Sequence, residues 1–128
     1  MKATDGYRQQ ALLFQALSHP VRLRILDILA RQEACVCHLT AVLGQRQPYV
    51  SQQLAALRDA GLVTDRREGT LIYYRLAEEQ VAGLLDEAKD VVACLGGEAF
   101  RFPPVPQEAV ANCPCPRCQE LEAAVQAS

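Results

Sequence analysis

The sequence predicts a mostly α-helical chain with one small β-hairpin. Apolar residues recur at three- and four-residue steps through most of the chain before the proline-rich stretch FRFPPVPQ, and this is the period of amphipathic helices. With only four Tyr and three Phe, the core must be built mostly from Leu, Val and Ala, a composition that favours helices. One β-rich run, TLIYYRL at residues 70–76, follows a turn sequence and predicts the hairpin.

The first two helices are predicted on either side of a Ser-His-Pro sequence. Residues 7–17 form the first helix, with Phe14 and Leu17 on the same face. Pro20 suits the first turn of the second helix, because a residue there needs no N–H donor. This second helix runs through the apolar pattern of VRLRILDILA and ends near Arg31.

The next two predicted helices are short and are joined by a tight link. Gly44 ends the first of them, and the link GQRQ leads to Pro48 in the first turn of the second, which Gly61 ends. Two short helices joined in this way predict a helix-turn-helix. A β-hairpin is expected next, with its turn in the basic sequence DRREG at residues 65–69.

A long helix is predicted from Glu78 to the Gly96-Gly97 pair. It carries more apolar residues than one small domain can bury, so we expect it to pair with the same helix of a second copy. The candidates for this dimer interface are Leu84, Leu85, Val91, Val92 and Leu95. The order of elements predicts a dimeric winged helix-turn-helix over residues 1–98, followed by a Pro/Cys-rich tail over residues 99–128.

Charge and hydropathy indicate the class of partner. No run of 18 apolar residues occurs and the first residues do not resemble a signal peptide, so we expect a cytoplasmic protein with reduced thiols and no membrane partner. The net charge is −2, but residues 22–75 carry +3 and residues 76–128 carry −6. The basic first half predicts a surface directed at a polyanion.

The helix-turn-helix makes double-stranded DNA the expected polyanion. A recognition helix presents short polar side chains to base edges and basic ones to phosphates. The hairpin adds two arginines that could approach the DNA backbone or the minor groove. The candidate DNA-binding residues are Arg46, Gln47, Tyr49, Ser51, Gln52, Gln53, Arg58, Arg66 and Arg67.

Five of the six cysteines lie in two runs, EACVCHL at residues 33–39 and NCPCPRC at residues 112–118. Two positions along a regular helix differ by about 200° of rotation, so Cys35 and Cys37 can share an ion only if Cys35 lies at or before the first turn. A helix N-terminus also favours thiolate over thiol. Both cysteines could instead be small buried core residues.

The second run has prolines between its cysteines, which prevent a regular helix. Cys113, Cys115 and Cys118 could bind one ion by themselves, or join Cys35 and Cys37 of either subunit in a four-thiolate site. Alternatively, these thiols are incidental to a disordered tail.

Three stretches together resemble the ArsR–SmtB family of metal-sensing bacterial repressors over residues 10–95: ALSHPVRLRILDIL, ACVCHLTAVLG and VSQQLAALRDAGLVTDRREGTLIYYRL. The resemblance implies a dimeric winged helix, paired through its first and last helices, that leaves operator DNA when its inducer binds. It implies that Cys35 and Cys37 bind As(III), Cd(II) or Pb(II), with Zn(II) also possible. His38 stands where these sensors have Asp. The family's other zinc site needs a His in the last helix, and no His follows His38.

Two alternatives remain open. Some members of the family sense oxidants or persulfides through a pair of cysteines, here one near Cys35 and one near Cys94, a residue we otherwise expect in the core or the dimer interface. The motif C-P-R-C at residues 115–118 could belong to a thiol–disulfide enzyme. Such enzymes place it at a helix start after a strand, whereas here it follows a Pro-rich segment, so the sequence favours a regulator over an enzyme.

Overall fold

The computed structural model describes residues 5–97 and 100–104. Within them the elements are α1 (Gly6–Leu17), α2 (Pro20–Arg31), β1 (Ala34–Cys35), α3 (Val36–Leu43), α4 (Gln47–Asp59), β2 (Val63–Glu68), β3 (Leu71–Leu76) and α5 (Gln80–Gly96). The prediction of a mostly helical chain with a helix-turn-helix and a hairpin is confirmed. Helices α3 and α4 form the helix-turn-helix, and β2 with β3 forms the hairpin, called the wing below.

Local residue chemistry sets the helix ends. The Asp5 carboxylate accepts a hydrogen bond from the Tyr7 amide at 2.9 Å and caps α1. Pro20 occupies the first position of α2. Gly44 ends α3 in the left-handed region with a φ of 65°, where glycine has no steric penalty.

A three-stranded antiparallel sheet has the order β1–β3–β2. Strand β1 was not predicted, because two residues are too few to show a period in the sequence. The predicted position of the hairpin turn was wrong: Arg66 and Arg67 lie within β2, and Gly69 and Thr70 form the turn. One face of the wing is exposed, so its strands tolerate charged residues, whereas the turn needs the positive φ of Gly69, 63°.

The core is formed where α2, α3 and α4 meet, under the sheet and α5. It contains Ile25, Leu26, Leu39, Val50, Leu54 and Leu57, with Val63 and Tyr74 from the sheet. Helix α5 adds Val81 and Leu85 to this core. Leu85, predicted at the dimer interface, is only 5% exposed in the single chain, because α5 packs its first half against α2. Leu84 is partly buried against the same core.

Large apolar side chains are exposed on α1 and on the second half of α5. Tyr7 on α1 is 84% exposed and Leu95 on α5 is 81% exposed, and Phe14 and Val91 are also exposed. Val92 is partly buried. None of the described helices is long and apolar enough to cross a membrane.

Residues 102–104, which follow α5, lie against the helical body. Phe102 has its ring 5.4 Å from the ammonium of Lys89, which pairs with Asp27 of α2 at 2.8 Å. Residues 102–104 line one wall of a mostly apolar cavity of about 270 Å³ between α2 and α5. The described part of the tail therefore begins on the α2–α5 side of the molecule.

Candidate functional site

The start of α4 collects most of the predicted DNA-binding side chains. Arg46 is the N-cap residue in an extended conformation, and Gln47 begins the helix. Arg46, Tyr49, Ser51 and Gln52 line an open depression around Pro48. Arg46, Gln47 and Gln52 are exposed, while Tyr49 and Ser51 are half-buried. This end of α4 can approach a groove of DNA with amide, hydroxyl and guanidinium groups in front.

Gln53 does not share that surface, and its predicted contact with a base does not match the structure. It is 6% exposed, and its Oε1 accepts a hydrogen bond from Nε of Arg22 at 2.8 Å. Arg22 also donates from Nη1 to the carbonyl of Ala16 at 3.2 Å. The reason is helical geometry, since position 53 follows the buried Val50 by three residues and faces the same way. That spacing was visible in the sequence.

The sequence did not single out Arg22, which joins three helices. Its guanidinium connects the end of α1 to α2 and to the recognition helix α4. A second contact nearby joins the Tyr49 hydroxyl and Nε2 of His19, 3.3 Å apart. Together these contacts orient α4 relative to α2. No period or motif signals them, because the partners are about thirty residues apart in sequence.

Two arginines around the wing, Arg58 and Arg66, are paired with carboxylates. Arg66 donates from Nε to Oε2 of Glu33 at 2.8 Å and from Nη1 to Oε2 of Glu68 at 2.7 Å. Its guanidinium lies 4.6 Å from the centroid of the Tyr73 ring. Arg58 pairs with Asp65 at 3.1 Å, and Arg67 is exposed.

The hydrogen bonds of Arg66 shift the pKa of Glu33 and its own pKa. The hydrogen bond from Arg66 lowers the pKa of the Glu33 carboxyl, because it stabilises the ionised form. Hydrogen bonds to Glu33 and then to Glu68 raise the pKa of the Arg66 guanidinium. Glu33 and Arg66 are therefore both charged at neutral pH.

The first cysteine pair meets the geometric condition for a shared ion. Cys35 belongs to β1 and is the N-cap residue of α3, with extended backbone at φ −84° and ψ 163°, and Cys37 lies in the first turn. Cys35 is 2% exposed, Cys37 is half-buried and His38 is buried. Cys94 is exposed on α5. Cys113, Cys115 and Cys118 lie outside the described residues.

The donor set around Cys35 and Cys37 is incomplete for a soft ion. Such ions take three or four ligands, and thiolates suit them. Within residues 5–97 and 100–104, no cluster of three His, Cys, Asp or Glu side chains could hold a metal. Two sulfurs at the start of α3 could hold an ion only with further ligands from elsewhere.

Comparison with known proteins identifies the family. The profile of bacterial regulatory proteins of the arsR family matches residues 19–65. The chain is 45% identical over 86 residues to the transcriptional repressor SmtB homolog of Synechocystis sp., covering 67% of this chain and 65% of that protein. It therefore spans slightly less than two thirds of the length of this curated relative. It is also 41% identical over 80 residues to the arsenical resistance operon repressor of Escherichia coli, covering 59% of this chain and 68% of that repressor.

A solved structure agrees with the assignment. The homodimeric winged helix-turn-helix DNA-binding domain from Mycobacterium bovis, described as a possible ArsR-family transcriptional regulator, was determined by NMR in solution. It matches with a TM-score of 0.66 at 34% identity, covering 80% of this chain and 100% of that domain. The names of all three proteins are those of transcriptional regulators rather than enzymes. From its sequence and its fold, this chain belongs to the arsR family of bacterial regulatory proteins.

Proposed function

We propose that the protein is a homodimeric transcriptional repressor that leaves its operator when a thiophilic metal or metalloid ion binds Cys35 and Cys37. The observation that carries this proposal is the position of Cys35, which ends β1 and caps α3. Helix α3 is the first helix of the helix-turn-helix and contacts α4. A ligand that draws two sulfurs together at this point therefore acts directly on the element that supports the recognition helix. Such a repressor works in the cytoplasm, where thiols stay reduced.

The proposed operator contacts come from α4 and the wing. Gln47, Tyr49, Ser51 and Gln52 read base edges, and Arg46 binds phosphate. Arg58, Arg66 and Arg67 add positive charge beside the backbone. One copy makes few phosphate contacts, so useful affinity at physiological salt requires two copies on a two-fold operator.

The exposed apolar side chains of α1 and α5 support the homodimer. Burying them against a second copy would remove a large apolar surface from water, which favours association. The proposed interface contains Val91, Val92 and Leu95 of α5 and the aromatic side chains of α1. Leu84 and Leu85 are excluded from its centre, because they pack in the core of their own chain. The related M. bovis domain is described as homodimeric.

The inducer is proposed to be As(III), Pb(II), Cd(II) or Zn(II). The positive end of the α3 dipole favours thiolates at Cys35 and Cys37, and these are the ligands that soft ions prefer. Cys113, Cys115 and Cys118, from the same chain or the partner's, are proposed to complete the site. When bound, the ion would link the start of α3 to the tail through its bonds to thiolates of both segments. The Escherichia coli relative is named an arsenical resistance operon repressor, which favours arsenite among these ions.

The test is a titration of the operator-bound dimer with Cd(II), Pb(II) and arsenite. The operator is a duplex selected by the protein from a random pool, and binding is followed by fluorescence anisotropy. At least one ion should weaken binding about tenfold or more. The same addition should produce thiolate charge-transfer absorbance with Cd(II) or Pb(II). A double variant, Cys35→Ser with Cys37→Ser, should lose both effects, while Cys94→Ser should keep them.

A chain truncated after Phe102 then tests the tail. It should keep its DNA affinity but bind Cd(II) with fewer thiolates, which lowers the charge-transfer absorbance. If no ion weakens DNA binding and the cysteine variants match the unmodified protein, metal release is wrong.

The exposure of Cys94 favours a second candidate, in which thiol oxidation takes the place of the ion. Two thiols and one hydrogen peroxide would give a disulfide and two water molecules. Mass spectrometry after treatment with peroxide or persulfide would detect a specific link between Cys94 and Cys35 or Cys37. Such a link that loosens DNA binding, without any metal-induced release, would replace the first proposal.

A further inference from the structure

One row of side chains crosses the sheet from the cysteines to the wing. In the antiparallel register Cys35 lies opposite Tyr73, and Tyr73 lies opposite Arg66. Residues directly opposite each other in antiparallel strands share a face, with Cβ atoms about 4.5–5.5 Å apart. Cys35, Tyr73 and Arg66 are therefore neighbours on one face, and their row connects the start of α3 with the basic strand of the wing.

Glu33 connects the two ends of this row. It precedes Cys35 by two residues, and both of its oxygens accept hydrogen bonds from Arg66, from Nε and Nη2. The same Arg66 guanidinium also lies over the ring of Tyr73, which is on the strand between Glu33 and Arg66. A carboxylate on the thiol segment (residues 33–37) thus binds an arginine of the wing across the intervening strand. The paired geometry of a guanidinium and a carboxylate fixes the direction of the arginine side chain.

We propose that Glu33 is a positioning residue that transmits the state of the thiol segment to the wing through Arg66. This inference rests on the proposed function. Cys35 is 2% exposed, so binding an ion together with Cys37 requires the thiol segment to move. Strand β1 has only two residues, Ala34 and Cys35, so its pairing with Tyr74 and Tyr73 of β3 is short. Glu33 moves with the segment, Arg66 loses its paired acceptor, and the wing no longer presents its charges in the arrangement that fits DNA.

The chain contains a matched control in Glu68. Its carboxylate accepts a hydrogen bond from the same guanidinium, at 2.7 Å from Nη1. Glu68 lies on β2, two residues from Arg66, and is distant in sequence from the thiol segment. Replacing either glutamate by glutamine removes one negative charge next to Arg66, but only Glu33→Gln breaks the paired hydrogen bonds between Arg66 and the thiol segment.

The experiment measures the operator affinity of full-length dimers with and without Cd(II), and the Cd–thiolate absorbance of the same samples. Cd(II) should weaken binding about tenfold or more for the unmodified protein and for Glu68→Gln. For Glu33→Gln the weakening should fall to about threefold or less, while the Cd–thiolate absorbance is unchanged. A purely structural role of Glu33 would lower the unfolding midpoint without changing the response to Cd(II).

A second variant keeps the test valid if Glu33→Gln folds poorly. Arg66→Lys retains a positive charge for phosphate but cannot form the paired hydrogen bonds, so it should also lose most of the Cd(II) response. The inference is overturned if Glu33→Gln binds Cd(II) and releases DNA like the unmodified protein, or if Glu68→Gln loses the response equally. If Cd(II) does not release the unmodified protein, the same variants are titrated with Pb(II) and arsenite, and absence of any response to all three ions overturns the proposed function, and this inference with it.

Discussion

The start of α4 and the wing both carry predicted DNA-binding residues, and they differ in how their charges are paired. At the start of α4 the exposed groups are mostly neutral amides beside Arg46. In the wing, Arg66 is bound by two carboxylates, and Arg58 of α4 is bound by Asp65 of β2. The comparison teaches that, under the proposed function, base recognition by α4 would depend on shape and hydrogen bonding, whereas the contribution of the wing would depend on how Arg58 and Arg66 are held by their acidic partners.

The largest expected effect is on operator affinity, and it distinguishes Gln52 from Gln45, another exposed glutamine nearby. Gln52→Ala should weaken operator binding by about 1–3 kcal/mol, because it removes a side chain placed to read a base edge. Gln45→Ala, in the exposed link before α4, should change affinity by less than about 0.5 kcal/mol. Fluorescence anisotropy with the selected duplex measures both. Equal effects would mean that the start of α4 does not distinguish bases.

The next effect is on the free energy of unfolding, and it distinguishes Gln53 from Gln52 of the same helix. Gln53→Ala should lower the free energy of unfolding by about 1–3 kcal/mol, because the partly buried Arg22 loses its acceptor. Gln52→Ala should cost less than about 0.5 kcal/mol, since its side chain is exposed. Urea denaturation gives both values. Should the two variants be equally stable, the hydrogen bond to Arg22 would contribute nothing.

A smaller effect is expected on the salt dependence of operator binding, where Arg67 is compared with Arg58, which pairs with a carboxylate. Arg67→Ala should reduce the salt dependence of operator binding by about one unit in the slope of log K against log salt, because it removes a phosphate contact. Arg58→Ala should reduce it less, since Asp65 already neutralises much of that charge. Affinities measured over a series of salt concentrations provide the slopes. A steeper loss for Arg58→Ala would reverse the comparison.

The smallest effect is on stability at alkaline pH. Burial raises the pKa of the Tyr74 hydroxyl above its ordinary value of 10.0, and the negative charge of Asp65 adds to the shift. The neutral form is favoured in the folded state, so this stabilisation is complete below pH 10 and is lost as the pH rises through the higher folded pKa. Urea midpoints at pH 8 and pH 11 should differ less for Tyr74→Phe than for the unmodified protein. Tyr7→Phe, at an exposed position, should not alter the difference.

The helices and their buried faces could be predicted from the sequence. Val50, Leu54 and Leu57 repeat at helical spacing, and Gly44 and Gly61 stand where two helices end. These features are local, because periodicity and glycine conformation act within one or two turns of the chain. The same locality allowed the sequence to state the condition that Cys35 lies at or before the first turn of α3, where the structure has it as the N-cap residue.

Two of the errors involve contacts between distant residues. The spacing from Val50 places Gln53 on the buried face, but its hydrogen-bond donor there, Arg22, is thirty-one residues away in the sequence. The position of Leu85 in the core follows from the packing of α5 on α2. Helical spacing predicts which residues share a face, but it does not say whether that face packs within the chain or against a second copy.

The sequence by itself determined the order of the elements, the two cysteine runs and the polar start of α4, because each depends on residues close together in the chain. Only the tertiary structure decided that β1 pairs with β3 and that Glu33 binds Arg66 across it. A two-residue strand has no period of its own, and it forms because the sheet edge of β3 offers partners for its backbone groups. This pairing places Cys35 beside Tyr73 of the wing, and no local sequence pattern predicts that contact.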